Sequence, residues 1–361
     1  MIDFQSDAPL QPNAAAMLHT FFEQGWADPA KLHHQSSSLR ILLAEAKEEI
    51  AGHLGRKVDE LEFVGELGFG FWSAISGLLE DSRARRENVT FIHSAIDRQV
   101  VHAFARRLSN EGGSVQQMSV NQNGEFDVPQ GDPSAHRAIC WQGTNRESGT
   151  IQRTPTLNSN DSLFADMTAS MPQQKLPDGW SVALWDPQKF AGPQGIAILA
   201  ISKEGRWRSP IPPMDKRRVF GSYSKPLLLA SAVALSSFVA DYKDQESHLR
   251  QLHQELRGLL RAAIPDLRLL DEGVDFDPRY CPIGIPSVIG EEIVRAMEER
   301  GFLIDAGSAC GAGPLSPSHV FDAMGWTNVA HIRISLDPNK TSRDIQALSQ
   351  ALIECVSRGR E

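Results

Sequence analysis

The sequence predicts a two-part α/β protein: a large domain with a mainly parallel seven-stranded sheet, and a smaller C-terminal α+β domain. Three observations predict it. Strand-like runs at 61–64, 89–92, 115–120, 138–141, 163–165, 182–185 and 196–201 alternate with helical stretches, and strand–helix–strand alternation makes a mainly parallel sheet covered on both faces. From about residue 226 this alternation gives way to long helical periodicity. The chain has 361 residues, 41% hydrophobic and 22% charged, and at this length one large domain with a smaller companion is the default.

Taken in order, Leu39, Leu42, Leu43, Ala46, Ile50 and Leu54 recur at helical spacing and stop at Gly55, which reads as an amphipathic helix with a glycine C-cap. The seven strand-like runs follow. Residues 121–134 and 154–161, rich in Gln, Asn and Pro, read as surface loops. Two helices are expected next, at 226–240 and 245–263, then strand-like pieces at 267–270 and 331–336 and a helix at 291–300. A closing helix starts at Ser342 with Thr341 as N-cap and Ile345, Leu348, Leu352 and Val356 on one face. The expected division is 1–20, an N-terminal segment packing with the small domain, 21–240, the large domain, and 241–361, the small one.

Composition narrows the function. A net charge of −9, from 36 basic and 45 acidic residues, speaks against nucleic acid or an anionic membrane as partner. A local patch at Lys216, Arg217 and Arg218 could still meet a phosphate. The opening MIDFQSDAPL has neither a basic n-region nor an apolar h-region, and the stretch 226–240 is too short and serine-rich to span a bilayer. The expectation is a cytoplasmic protein. Cys140, Cys281, Cys310 and Cys355 form no C-x-x-C pair, so neither a disulfide framework nor a zinc site is signalled.

Four segments carry chemistry. In DPQKFAGPQG (186–195) a lysine, Lys189, follows a strand and precedes a turn, where a partly desolvated amine can attack an aldehyde. In LFADMTAS (163–170) an apolar strand delivers Asp166, a carboxylate suited to a pyridine nitrogen. Read blandly, the first is a surface lysine and the second a helix N-cap. GTNRESGTIQ (143–152) is a polar turn that offers Asn145 and Glu147. DAGSACGAGPLSPSHVFDAMG (305–325) surrounds Cys310 with glycines and small residues, as expected of a thiol on a mobile loop that swings onto a substrate. HIRISL then places Arg333 on a strand, where a guanidinium suits bidentate capture of a carboxylate.

Together these segments resemble the cysteine desulfurases of the class V aminotransferase group, fold-type-I pyridoxal-phosphate enzymes, over almost the whole chain. IDFQSDAPLQP is similar to that family's N-terminal segment, GWADPAKLHHQSSSLR to its loop and first helix, and LEFVGELGFGFWSAI to its first cofactor-binding turn. The resemblance implies pyridoxal 5′-phosphate as cofactor, with Lys189 in Schiff-base linkage, Asp166 on the pyridine nitrogen, Asn145 near the ring hydroxyl, and Gln188, Gly68 and Arg98 at cofactor-binding positions. It implies that Arg333, with Asn145, holds the carboxylate of L-cysteine or another amino acid. Cys310 would take the sulfur as a persulfide with release of alanine, and a sulfur-acceptor protein would draw on it, as in iron–sulfur cluster assembly. It also implies a homodimer with active sites at the interface.

The departures from the family pattern lie in the cofactor pocket. The phosphate-binding turn of glycine, small residue, threonine and glutamate is here Glu66, Leu67, Gly68 and Phe69, and the serine and histidine before the lysine are Asp186 and Gln188. Carboxylates beside a phosphate dianion repel it unless cations offset them. A glutamine becomes Ala169, the ring-stacking histidine becomes Arg98, and the partner-subunit arginine loop becomes VFGSYSKP, with Arg217, Arg218 and Lys225 close by. Three readings stand: a divergent pyridoxal-phosphate desulfurase, a degenerate paralogue kept as scaffold or regulator, and another class V transamination or elimination.

Overall fold

The structure, a computed structural model, describes residues 1–6, 8–24, 28–29, 31–212, 217–306 and 318–360. Cys310 and Lys216 lie outside the described residues. In chain order, β1 (Ile2–Asp3), α1 (Pro12–Gln24) and α2 (His34–His53) precede β2 (Leu61–Val64), α3 (Leu67–Arg85), β3 (Val89–Ser94), α4 (Gln99–Asn110) and β4 (Ser114–Met118). Then come β5 (His136–Gln142), β6 (Asp161–Asp166), β7 (Val182–Trp185), β8 (Ala197–Ile201) and α5 (Lys225–Ala263). The remainder is β9 (Tyr280–Pro286), α6 (Gly290–Glu299), β10 (Phe302–Leu303), β11 (Asp305–Ala306), α7 (His319–Ala323), β12 (Val329–Ser335) and α8 (Ser342–Gly359).

All seven strand-like runs enter one sheet, in the order β2-β8-β7-β6-β5-β3-β4. It is parallel except for β8, which runs antiparallel to both its neighbours. The inner strands read as unbroken apolar runs because both faces are covered. Leu163 and Ala165 of β6 pack towards Leu39, Leu228 and Leu235 of α2 and α5, whereas Phe164 between them packs with Phe71 and Leu78 of α3. This is the period-two alternation of a strand. α2 ends at Leu54 because Gly55 takes φ 63°, and the Arg56 amide then donates to the Ala51 carbonyl at 2.8 Å.

The smaller sheet is antiparallel, β11-β12-β9, and β1 pairs in parallel with β10, Ile2 opposite Phe302. Phe4 is fully buried in the core of this part with Leu252, Leu256, Ile283, Ile332 and Leu352. Thr341 caps α8 through a capping box with Asp344.

Two expectations need correction, and one strand was not expected. The helices expected at 226–240 and 245–263 are one helix of 39 residues, α5. Residues 241–244 read Asp-Tyr-Lys-Asp, which interrupts the apolar stripe, but no Gly or Pro breaks the backbone there. The expected strand at 267–270 is reduced to a bridge between Arg268 and Gly284. The strand that pairs with β12 is instead β9, whose Pro282, Gly284 and Pro286 hide it from a search for β-branched runs. Among the described residues no helix is long and apolar enough to cross a membrane.

Candidate active site

In parallel α/β sheets, side chains just beyond the carboxyl ends of the strands form the site. Here β2, β3, β5, β6 and β7 deliver Glu66, Asp97 with Arg98, Asn145, Asp166 and the Lys189 turn to one edge. Asp166 closes β6 opposite Leu184 of β7 in parallel register, and Lys189 lies five residues further on, in a 3-10 turn over Pro187–Phe190. The sequence-predicted lysine and ring-binding acid therefore leave neighbouring strands at the same end.

Asp166 is buried and forms a turn rather than a helix cap. Its Oδ1 accepts from the Thr168 amide at 2.9 Å and the Thr168 hydroxyl at 2.5 Å. Its Oδ2 faces Arg98 Nε at 3.7 Å, and the Arg98 guanidinium also lies 5.6 Å from the centre of the Phe71 ring. Behind this pair is a second acid, Asp97, which takes the Ser94 amide at 2.7 Å and Gln142 Nε2 at 2.9 Å. Burial, with the nearby Asp166 charge adding to it, pushes the Asp97 carboxyl up to about 8 against those two hydrogen bonds. Asn145, expected at the ring and the substrate, uses its whole amide inwards. Its Nδ2 donates to the Ile96 carbonyl and Gln142 Oε1, and its Oδ1 accepts the Glu147 and Ser148 amides.

Lys189 is buried, with Nζ 5.7 Å from the centre of the Tyr280 ring. Arg279 ties its turn in place: Nη1 donates to the Lys189 carbonyl at 2.7 Å and Nη2 to the Ala169 carbonyl at 3.0 Å, while Asp277 holds the guanidinium. One arginine thus couples the lysine turn to the turn after Asp166. Asp186 caps the Lys189 turn by accepting the Gln188 amide at 3.1 Å. Lys189 and Arg333 both line a small cavity of about 60 Å³ with Gln5, Arg146, Glu147 and Tyr280. Lys189 and Gln188 also border a wider cleft of about 320 Å³ lined by Tyr242, Arg279 and Asn339.

Arg333 of β12 is not an open carboxylate receptor. It pairs with Glu147 at 3.2 Å and with Asp305, and Glu147 in turn accepts the Ser318 hydroxyl at 2.6 Å. The polar turn at 143–152 is thereby tied to both ends of the segment 307–317, which contains Cys310. Of the other cysteines, Cys140 is held well above its usual range by burial and Cys281 is pushed up to about 12 by burial, as inert core thiols are.

A pyridoxal phosphate needs a lysine, an acid for its ring nitrogen, and free N–H donors for its phosphate. The first two are present. The third is already taken at the start of α3, where Glu66 Oε1 accepts the Gly68 amide at 2.7 Å and Oε2 the Phe69 amide at 2.8 Å. Gly68, expected to serve the cofactor, serves this cap. Arg217 and Arg218, the expected compensating charges, reach Glu62 and the carbonyls of Phe63, Ile201, Asp59 and Glu60. The ring half of the site fits the cofactor and the phosphate half does not. Sequence reasoning missed Asp97, Gln142, Arg279 and Tyr280 as site residues. The same rule that found Asp166, a polar residue just past a strand, would have found Asp97.

Comparison with known proteins agrees with the fold. No family model matches the chain. The cysteine desulfurase of Nostoc sp. is 23% identical, the match covering 99% of this chain and 92% of the relative. The cysteine desulfurase NifS of Azotobacter vinelandii is 24% identical, over 91% and 85%. Among solved structures, a NifS-like protein superposes with a TM-score of 0.83 at 18% identity over 99% of both chains. An apo cysteine desulfurase from Thermococcus onnurineus gives 0.80 at 13% identity, covering 99% of this chain and 95% of the other. The chain has the fold-type-I pyridoxal-phosphate enzyme architecture.

Proposed function

Since the chain is a diverged homologue of the cysteine desulfurases, we propose that it is an enzyme of desulfurase type, moving sulfur from L-cysteine or an amino acid of similar size. The observation that carries this reading is the placement of Lys189 and Asp166 on adjacent strand ends, with Arg279 fixing the two turns to each other. A pyridoxal-class aldehyde supplies an electron sink when bound in such a place. Of the chain's own groups, Lys189 would be the amine that holds the aldehyde and Asp166 the acid for the ring nitrogen, with Arg98 against Asp166. Arg333 receives the substrate carboxylate only by exchanging it for Glu147 or Asp305, and Cys310 is the sulfur acceptor. A second copy of the chain and a sulfur-accepting protein are the proposed partners.

The test is product formation from cysteine. With a pyridoxal-class aldehyde and a thiol reductant present, the protein is expected to release alanine and sulfide in equal amounts. A visible absorption band should accompany binding. Lys189→Ala is expected to abolish both the band and the products, and Cys310→Ser the products alone. Continued sulfide release by Cys310→Ser would move the reading to direct elimination. Pairing of Arg333 and Asp166 with the chain's own Glu147, Asp305 and Arg98 favours a second reading, a non-catalytic scaffold. In that case a Lys189→Ala strain keeps the wild-type phenotype.

A further inference from the structure

We propose that Glu66 is a specificity-determining residue. Its carboxylate takes the place of a cofactor phosphate at the start of α3, so the site selects a pyridoxal-class ligand with an uncharged hydroxymethyl arm over the phosphate ester. The inference rests on the reading of Lys189 and Asp166 as the ring-binding pair.

Three observations carry it. The first amides of a helix attract anions, and in α3 the amides of Gly68 and Phe69 already end on the two oxygens of Glu66. An incoming phosphate must displace a charge-assisted pair before it gains anything. Next, a Cβ at position 68 would lie 2.9 Å from Glu66 Oε2, so the carboxylate sits close against the backbone of this turn and would have to shift for any other residue there. Finally, the turn after the next parallel strand carries another acid, Asp186, beside Lys189. Asp186 follows β7, which is separated from β2 only by β8, so the two acids leave strands roughly 10 Å apart, two strand spacings. Arg217 and Arg218 are engaged by Glu62 and by the carbonyls of Phe63, Ile201, Asp59 and Glu60. A phosphate dianion there meets two carboxylates, and like charges at such separations repel. A hydroxyl group donates a hydrogen bond to either.

Pyridoxine and pyridoxine 5′-phosphate carry no aldehyde, so their binding does not require Lys189. Titration calorimetry of the full chain with both is the test. The wild type is expected to bind the alcohol at least as tightly as its phosphate ester. Glu66→Gln and Glu66→Thr are each expected to shift that ratio towards the ester by about tenfold or more, with pyridoxine itself changed by less than about threefold. Far-ultraviolet circular dichroism establishes that both variants are folded. A wild type that prefers the ester, a ratio that neither variant moves, or no detectable binding by any of the three proteins overturns the proposal. The visible band with pyridoxal, and its loss in Lys189→Ala, reports on the enzyme reading separately. A ratio that shifts as expected without any such band removes the enzyme reading and keeps the role of Glu66.

Discussion

At the scale of single residues, Asp97 has the clearest consequence. Its carboxyl is raised from 3.8 to about 8 by burial first and by Asp166 second. Between those values the folded chain holds a proton that the unfolded chain has lost, so stability falls as pH rises through this window and levels off above it. One such proton contributes at most about 1.4 kcal/mol per pH unit. Urea unfolding at pH 5 and pH 8 should show that Asp97→Asn flattens this slope. Arg279 is the complementary case. Its removal leaves the buried Asp277 without its partner, so Arg279→Ala should cost about 3–5 kcal/mol in chemical denaturation. Arg279→Lys should restore much of the stability and still weaken the Lys189-dependent band, because one ammonium does not reach both the Lys189 and Ala169 carbonyls as the guanidinium fork does. The strand-end positions of Lys189 and Asp166 were legible in the sequence because a strand, a polar residue and a turn follow one another there, and the strand position of Arg333 because HIRISL alternates. Their partners were not. Nothing in the order of residues says that Glu147 will meet Arg333 across more than half the chain, or that the Asn145 amide will turn inwards.

At the scale of elements, strands were easier to read than helices were to delimit. The inner strands β5, β6, β7 and β8 are apolar because the sheet is covered on both faces, and that pattern depends on local residues alone, whereas the edge strand β4, SVQQM, is mostly exposed. β9 escaped notice because it carries two prolines and a glycine. Among the described residues its other side carries the Arg268 bridge alone, so a missing amide there costs little. α5 was read as two helices because its buried stripe changes customers halfway: Leu228 and Leu235 face the large sheet, Leu252 and Leu256 the small one. The four polar residues at the handover look like a linker. They are helical because α5 continues through them without a breaker. Ala240→Pro tests this continuity. It should cost about 3 kcal/mol or more, read as a lower denaturation midpoint.

At the scale of the whole molecule, α5 is shared by both hydrophobic cores, which makes it the mechanical link between the two sheets. The wild type is expected to unfold with fluorescence and circular dichroism transitions that coincide, and Ala240→Pro to separate them, since the two cores would then lose their common strut. The edge of the large sheet carries Glu66, Asp97, Asp166 and Asp186 against Lys189 and Arg98. That balance sets the kind of ligand the protein admits, and the family likeness alone does not reveal it.

The pairing of β1 with β10 also fixes an order of events in time. Ile2 and Asp3 have as partners Phe302 and Leu303, and Phe4 fills a core made otherwise from residues beyond 248. At the usual pace of translation, about 5–20 residues per second, these first residues wait roughly 15–60 s for their partners to be synthesised. The large sheet can assemble during that interval. The small one cannot close until β10 and β12 have been made, so it completes after the large sheet.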